Sequence, residues 1–288
     1  MGYLEALRVE ERARFAFAPV ASGVISWNAL ATEGAVEFRI LRRDAPASPW
    51  LEYARWNERG RTSLSAAAPG VRVETDVIRA DAAFDGIEIR GIGISFALVA
   101  FSSPPLPRSG MPYARDAMVL DVPARSQFVR EGERGWCSPT SLSMLHAYHG
   151  LDYSVEATAR EIFDDAYGGT GNWAFNVAFS GRLGLHGVVA YLDGLERAQR
   201  LIERSLPIAI SYSWKGDELP GAPLDHSDGH LVVLCGFTGN GDCVVNDPAH
   251  PRLRAVYPRT AIERIWQRGG GVAYVVAPNG LTYADVLA

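Results

Sequence analysis

The run Gly135-Trp136-Cys137-Ser138-Pro139-Thr140-Ser141-Leu142 sets a cysteine ahead of small polar residues and an amphipathic stretch carrying Leu142, Leu145, Ala147 and Tyr148. This reads as a thiol at the N-terminus of a helix. Unpaired backbone N–H groups and the helix dipole favour an anion there, so they lower a thiol's pKa. A thiolate is a nucleophile. With a histidine and a carboxylate beside it, Cys137 would mark a cysteine hydrolase or acyltransferase.

The rest of the chain sets the frame for that thiol. At 288 residues, 48% hydrophobic and 21% charged, it is globular and long enough for two cores. A net charge of -5 argues against a nucleic-acid backbone or an anionic membrane as the main partner. The basic residues are nearly all arginine, Lys215 being the only lysine. No apolar run approaches the roughly 20 residues that span a bilayer. The opening, Met1 to Phe17, carries Glu5, Glu10 and Glu11 and shows no signal peptide. That leaves a cytoplasmic protein, or a secreted one whose signal has been removed.

The other thiols are Cys235 and Cys243, and three cysteines make no disulfide framework. They flank Thr238-Gly239-Asn240-Gly241-Asp242, in which Asn-Gly predicts a two-residue hairpin turn. That register pairs Thr238 with Cys243 and sets Cys235 opposite Asn246, so the two thiols face opposite ways. Both are expected to pack as small apolar side chains.

A Pro-rich stretch from Ser102 to Pro112 reads as a linker and divides the chain into 1–112 and 113–288. Upstream, alternating runs at Gly34 to Leu41, Trp50 to Trp56, Val71 to Ile78 and Gly86 to Leu98 predict a small antiparallel β-sandwich. Its Trp27, Trp50 and Trp56 are expected in the core. On the surface they would instead offer a contact for carbohydrate or cell wall.

Downstream the period becomes helical over Cys137–His149, Val155–Phe163, Trp173–Leu183 and Leu195–Arg204. Ser154, Asn172 and Asp193 are the expected N-caps, and Gly150 and Gly184 the stops. Strands follow over Pro207–Trp214, His230–Phe237, Asp242–Asn246 and Gly271–Ala277. Helices first and an antiparallel sheet last make an α+β fold with a cleft between the layers.

His230 opens an apolar strand after Asp228-Gly229, and the paired strand ends in Asn246-Asp247-Pro248. If the two strands pair, Asp247 lies near His230. A carboxylate on one imidazole nitrogen fixes the tautomer and leaves the other to take the thiol proton. Gln127, ten residues before Cys137, can offer its amide to an oxyanion, beside the Cys137 N–H.

Together these residues resemble the bacteriocin-processing-like cysteine peptidases, a branch of the papain-like clan. The resemblance rests on Val122-Pro123, Gln127, Gly135 through Ser141, Gly169-Thr170-Gly171-Asn172-Trp173, Gly229 through Val233, and Val245-Asn246-Asp247-Pro248. It spans about residues 118 to 278. It implies a papain-like peptidase domain behind the β domain, with Gln127 as oxyanion donor, Cys137 as nucleophile, His230 as base then acid, and Asp247 as its orienter. It implies a peptide or protein substrate and no cofactor. Trp136, Asn172 and Trp173 are expected along the substrate cleft. Exporter-fused relatives cut leader peptides after Gly-Gly, but this sequence shows no transmembrane run and no phosphate loop.

Two other readings stay open at this level. The same machinery serves an acyltransferase or amidase, and an inert triad would leave a binding protein built on the β-sandwich. The cluster Asp225-His226-Ser227-Asp228-Gly229-His230 offers metal-ligand types. It lies in one loop entering one strand, so no metal is expected.

Overall fold

The protein, in a computed structural model, is described at residues 12–29, 31–101, 117–130 and 135–278. The expected Pro-rich linker and the first eleven residues lie outside these. The first half is antiparallel β throughout: β1 (Arg12–Ala29), β2 (Gly34–Arg42), β3 (Ala45–Pro46), β4 (Leu51–Asn57), β5 (Gly60–Ser63), β6 (Ala67–Ala68), β7 (Val71–Glu74), β8 (Val77–Ile92) and β9 (Ile94–Phe101). Alternation decides the faces. In β2, Val36, Phe38 and Ile40 are buried while Ala35, Glu37 and Arg39 are not.

The expected sandwich is corrected in one respect. These strands form a single nine-stranded sheet, with main order β5-β4-β2-β8-β1-β9, rather than two separately bonded ones. Register shifts between Ala16 and Ser22 break the long β1–β8 ladder, and such bulges sharpen twist and bend a sheet. The curl lets Trp27 of β1 stack on Trp56 of β4 at 5.7 Å, although the two strands are not neighbours. Alternation shows which face is buried, not whether two facing layers belong to one ladder.

Two further expectations differ in the same region. The predicted strand Val71–Ile78 is a hairpin turning at Thr75-Asp76, and Gly86–Leu98 is broken at Gly93, which has φ +72°. Of the three tryptophans, Trp27 and Trp56 are buried. Trp50 lies under the guanidinium groups of Arg12, Arg39 and Arg90.

The second half runs β10 (Met118–Val119), α1 (Cys137–Tyr148), α2 (Val155–Ile162), α3 (Trp173–Arg182), β11 (Leu185–Tyr191), α4 (Leu195–Glu203), β12 (Ile208–Lys215), β13 (His226–Phe237), β14 (Cys243–Asn246), β15 (Arg254–Tyr257), α5 (Arg259–Arg268) and β16 (Val272–Pro278). Its antiparallel sheet has the order β11-β16-β12-β13-β14-β15, with β10 beside β13. The four predicted helices are present to within a residue. Ser154 accepts from the Ala157 N–H and Asn172 from the Phe175 N–H, as N-caps do. Gly150 and Gly184 adopt the left-handed conformation of helix stops.

Asp193 is not a cap. Gly194 takes that position and Asp193 pairs with Arg197 instead. Strands β11 and β15 and helix α5 were not expected, so helices and strands interleave more than the α+β order implied. The hairpin after β13 also differs. A five-residue loop pairs Phe237 with Cys243, and a bulge at Cys235 sets Val233 opposite Asn246.

The two sheets are joined side by side. Strand β11 ends the second sheet, and its outer edge meets β1. The Asn28 side chain donates to the Gly187 carbonyl at 3.1 Å and accepts the Gly187 N–H at 2.8 Å, while Ser26 Oγ accepts from Val189. One amide thus mimics a strand's backbone. Ala174, Phe175 and Ala178 of α3 complete the core of the first sheet.

Candidate active site

Gly135, at φ +81°, makes the turn into α1, a conformation that favours glycine. Cys137 is the first helical residue, and the Trp136 carbonyl accepts from Thr140 N–H and Oγ1 to close the first turn. Residues 137–146 are all buried, so α1 runs through the core with its N-terminus at the rim.

The sheet is shaped to receive that end. Strand β14 pairs with β13 only as far as Val233, so the backbone of Leu231 is left open on that side. Helix α1 fills the gap with two residues one turn apart. Ser141 Oγ donates to the Leu231 carbonyl at 3.1 Å, and the Leu231 backbone N–H is among the groups that favour the Cys137 thiolate.

His230 precedes that clamp. It lies within β13 rather than opening it, because the strand begins at His226. Trp214 and Tyr212 bracket its ring edge-on, at 5.6 and 6.3 Å between centroids. Its Nε2 donates to Asp247 Oδ1 at 2.8 Å, which leaves Nδ1 as the nitrogen available to Cys137. Asp247 Oδ1 also accepts from the Ala249 N–H, and Oδ2 accepts from the Tyr257 hydroxyl at 2.7 Å. Every one of these side chains is buried.

The charges follow from this geometry. Burial would push the Cys137 thiol up, but the His230 bond and charge, with the Leu231 and Ser138 N–H groups, bring it below its ordinary value. Burial likewise opposes a charge on His230, yet its bonds to Asp247 and Cys137 raise its pKa well above that of free histidine. Asp247, although buried, is held below the usual carboxylate range by His230, Tyr257 and Ala249. All three shifts favour a thiolate–imidazolium pair over neutral partners. Cys235 and Cys243, both free and buried, lack such partners, and burial pushes each up to about 12.

Gln127 is buried and tied to the triad's far side, its main-chain N–H donating to the Pro248 carbonyl at 3.0 Å. Its Oε1 has no partner among the described residues. The structure thus sets Gln127 beside the Asp247–Pro248 turn and shows no bond from it to Cys137. Trp136 and Trp173 line the groove that holds Cys137. Asn172 does not; its side chain turns inward, capping α3 and donating to Asp164 Oδ2 at 2.9 Å.

That groove has a volume of about 840 Å³. Its walls are the β7–β8 hairpin tip at Glu74–Val77, the loop Gly168–Gly171, and the strand segments Ser211–Ser213 and Asp228–Gly229. A neighbouring groove of about 580 Å³ shares Trp136, Phe163 and Thr170 with it. Among the described residues, no group of three or more His, Cys, Asp or Glu side chains is placed to hold a metal.

Sequence reasoning missed Tyr257, whose strand β15 went unread, and the hairpin tip, which lies over 60 residues upstream of Cys137. It also missed Asn176. Asn176 Oδ1 accepts from Ser138 Oγ, next to the nucleophile, while its Nδ2 donates to the Thr170 and Asn172 carbonyls. Nothing in the sequence singled out these positions.

The sequence profile of the Peptidase_C39 like family matches residues 119–274, more than half of the chain. No curated protein matches. Among solved structures, a putative C39-like peptidase from Bacillus anthracis is similar at 19% identity over 57% of this chain and 98% of that one, with a TM-score of 0.45. A double glycine motif protease from an AMS/PCAT transporter, in complex with the leader peptide, is similar at 19% identity over 56% of this chain and 95% of its own, with a TM-score of 0.39. No described helix is long and apolar enough to cross a membrane. The profile match falls on the segment that carries Cys137, His230 and Asp247, and the chain belongs to the Peptidase_C39 like family of cysteine-type peptidases.

Proposed function

We propose that the chain hydrolyses a peptide bond through a Cys137–His230–Asp247 triad on a papain-like framework. The observation that supports this reading most is the 2.8 Å bond from His230 Nε2 to Asp247 Oδ1, with the buried Cys137 close enough to His230 for each to shift the other's charge toward a thiolate and an imidazolium. A helix delivering the thiol to a sheet that delivers base and orienter is the papain-like arrangement. The division into 1–112 and 113–288 is part of the proposal. It is supported by strand membership, since every strand through Phe101 belongs to one sheet and every strand from Met118 to the other.

The Cys137 sulfur attacks the substrate carbonyl, forming a C–S bond as the π electrons move onto oxygen. The Cys137 N–H and the Gln127 amide hold that oxyanion. Gln127 has the second role from its order in the chain and its burial beside the Asp247 turn. The His230 imidazolium gives its proton to the departing amine as the C–N bond breaks, leaving a thioester. Water then attacks, His230 takes its proton, and the carboxylate product leaves as the thiolate returns. A groove of about 840 Å³ suits a stretch of peptide better than a small amide.

The test is iodoacetamide labelling followed by peptide mass mapping across pH. The expected outcome is one adduct, at Cys137, with half-maximal rate well below the free-thiol pKa of about 8.5. Labelling at Cys235 or Cys243, or an inflection near that free-thiol value, would overturn the triad.

A further inference from the structure

The groove beside Cys137 is walled in part by the first sheet, which lies outside the segment that the family profile matches. The hairpin tip Glu74-Thr75-Asp76-Val77 is a two-residue turn, with Glu74 paired to Val77. Thr75 has φ +60°, a left-handed conformation that β-branched residues rarely adopt and that such a turn gives to glycine. Something must hold it there, and Asp76 is held from two sides. The Tyr53 hydroxyl of β4 donates to its main-chain carbonyl. Its buried carboxylate accepts the Trp173 N–H at 2.6 Å.

The Trp173 N–H is the first of α3, and Asn172 takes that of Phe175. The orphan donors of the helix start are thus shared between its own cap and a carboxylate nearly 100 residues upstream. The segment they fix, Gly168–Gly171 running into Trp173, is another wall of the same groove.

We infer that Asp76 is a positioning residue of the peptidase. By bonding the start of α3 it locks the hairpin tip and the Gly168–Gly171 loop into one wall, so the first sheet sets how well an extended peptide is held beside Cys137. This rests on the cysteine-peptidase reading above. Burial raises the Asp76 carboxyl to about 7, which makes the lock sensitive to pH near neutrality. The groups facing it are Asp164 from the α2–α3 loop, Tyr53 from β4, Tyr191 from β11 and Tyr274 from β16. Glu74 and Arg79 lie on its own hairpin and pair with each other.

The experiment compares two alkylating agents on the full chain. Iodoacetamide reads the thiolate alone, and tetra-alanyl chloromethyl ketone reads the thiolate and the groove together. In Asp76→Ala the rate with the peptidyl agent is expected to fall about tenfold, the order for losing a charge-assisted bond, with the iodoacetamide rate within about twofold of wild type. In the wild type the ratio of peptidyl to iodoacetamide rate should fall as pH drops below about 7, while Asp76→Asn, of the same shape and without the charge, gives a flat ratio. Equal rate losses with both agents, an unchanged ratio in Asp76→Ala, or a pH-dependent ratio in Asp76→Asn would overturn the inference. Failure of wild-type Cys137 to react with iodoacetamide would instead overturn the triad reading beneath it.

Discussion

The N-terminus of α1 buries one thiol and the β13–β14 ladder two, and the two environments act in opposite directions. At Cys235 and Cys243 removing water costs the thiolate its solvation, and the nearby Arg254 and Arg259 do not make up the loss. At Cys137 the same loss is offset by the His230 imidazole together with the Leu231 and Ser138 N–H groups. Burial alone therefore does not decide reactivity. What decides it is whether the fold has placed donors where the solvent was.

The comparison is broken most severely by removing the donor that carries the charge. His230→Ala should lower turnover by about four orders of magnitude, in line with loss of a triad member. It should also return the Cys137 labelling inflection toward that of an ordinary buried thiol. Turnover lost with the inflection unmoved would mean that His230 does not set the thiolate.

A smaller effect separates a reactive thiol from a productive one. Gln127→Ala should cut kcat by about 10²–10³, the usual worth of an oxyanion donor, while leaving the pH profile of Cys137 labelling in place. Unchanged kcat would remove Gln127 from the site and leave it as a support for the Asp247–Pro248 turn.

The smallest effect is on stability. Asp247 is held below its ordinary pKa, so its contribution is complete above about pH 4 and disappears as the pH falls through the depressed folded value. Asp247→Asn should therefore cost about 1–3 kcal/mol in urea melts at pH 7, with the gap to wild type closing in more acid solution. A gap independent of pH would show that packing, not charge, accounts for the loss.

Much of the site was legible because its chemistry is local. Cys137 follows a glycine turn and starts a helix, and His230 and Asp247 lie on strands joined by a short loop. Even so, the turn that brings them together is not the two-residue one that Asn-Gly predicts. A two-residue turn would have set Asn246 opposite Cys235, whereas the longer loop and the bulge set it opposite Val233, bringing Asp247 two residues closer to His230. Tyr257, Asn176 and Asp76 were invisible for a different reason. Each is an ordinary residue type in an ordinary local pattern, and its role comes only from where distant segments meet. The single curled sheet was illegible on similar grounds, since alternation fixes a buried face and leaves the ladder unspecified.

The Asn28–Gly187 pairing has a consequence for cutting the protein apart. Strand β11 ends its sheet, and its Gly187 N–H and C=O and Val189 N–H are occupied by side chains of β1 rather than by another strand. Removing residues 1–112 would leave Leu185–Tyr191 as a bare, apolar edge, the kind that recruits a second chain. The isolated second half should accordingly self-associate, and adding Lys at the outward positions of β11 should return it to a monomer. The first sheet acts here as a built-in chaperone for its neighbour's edge.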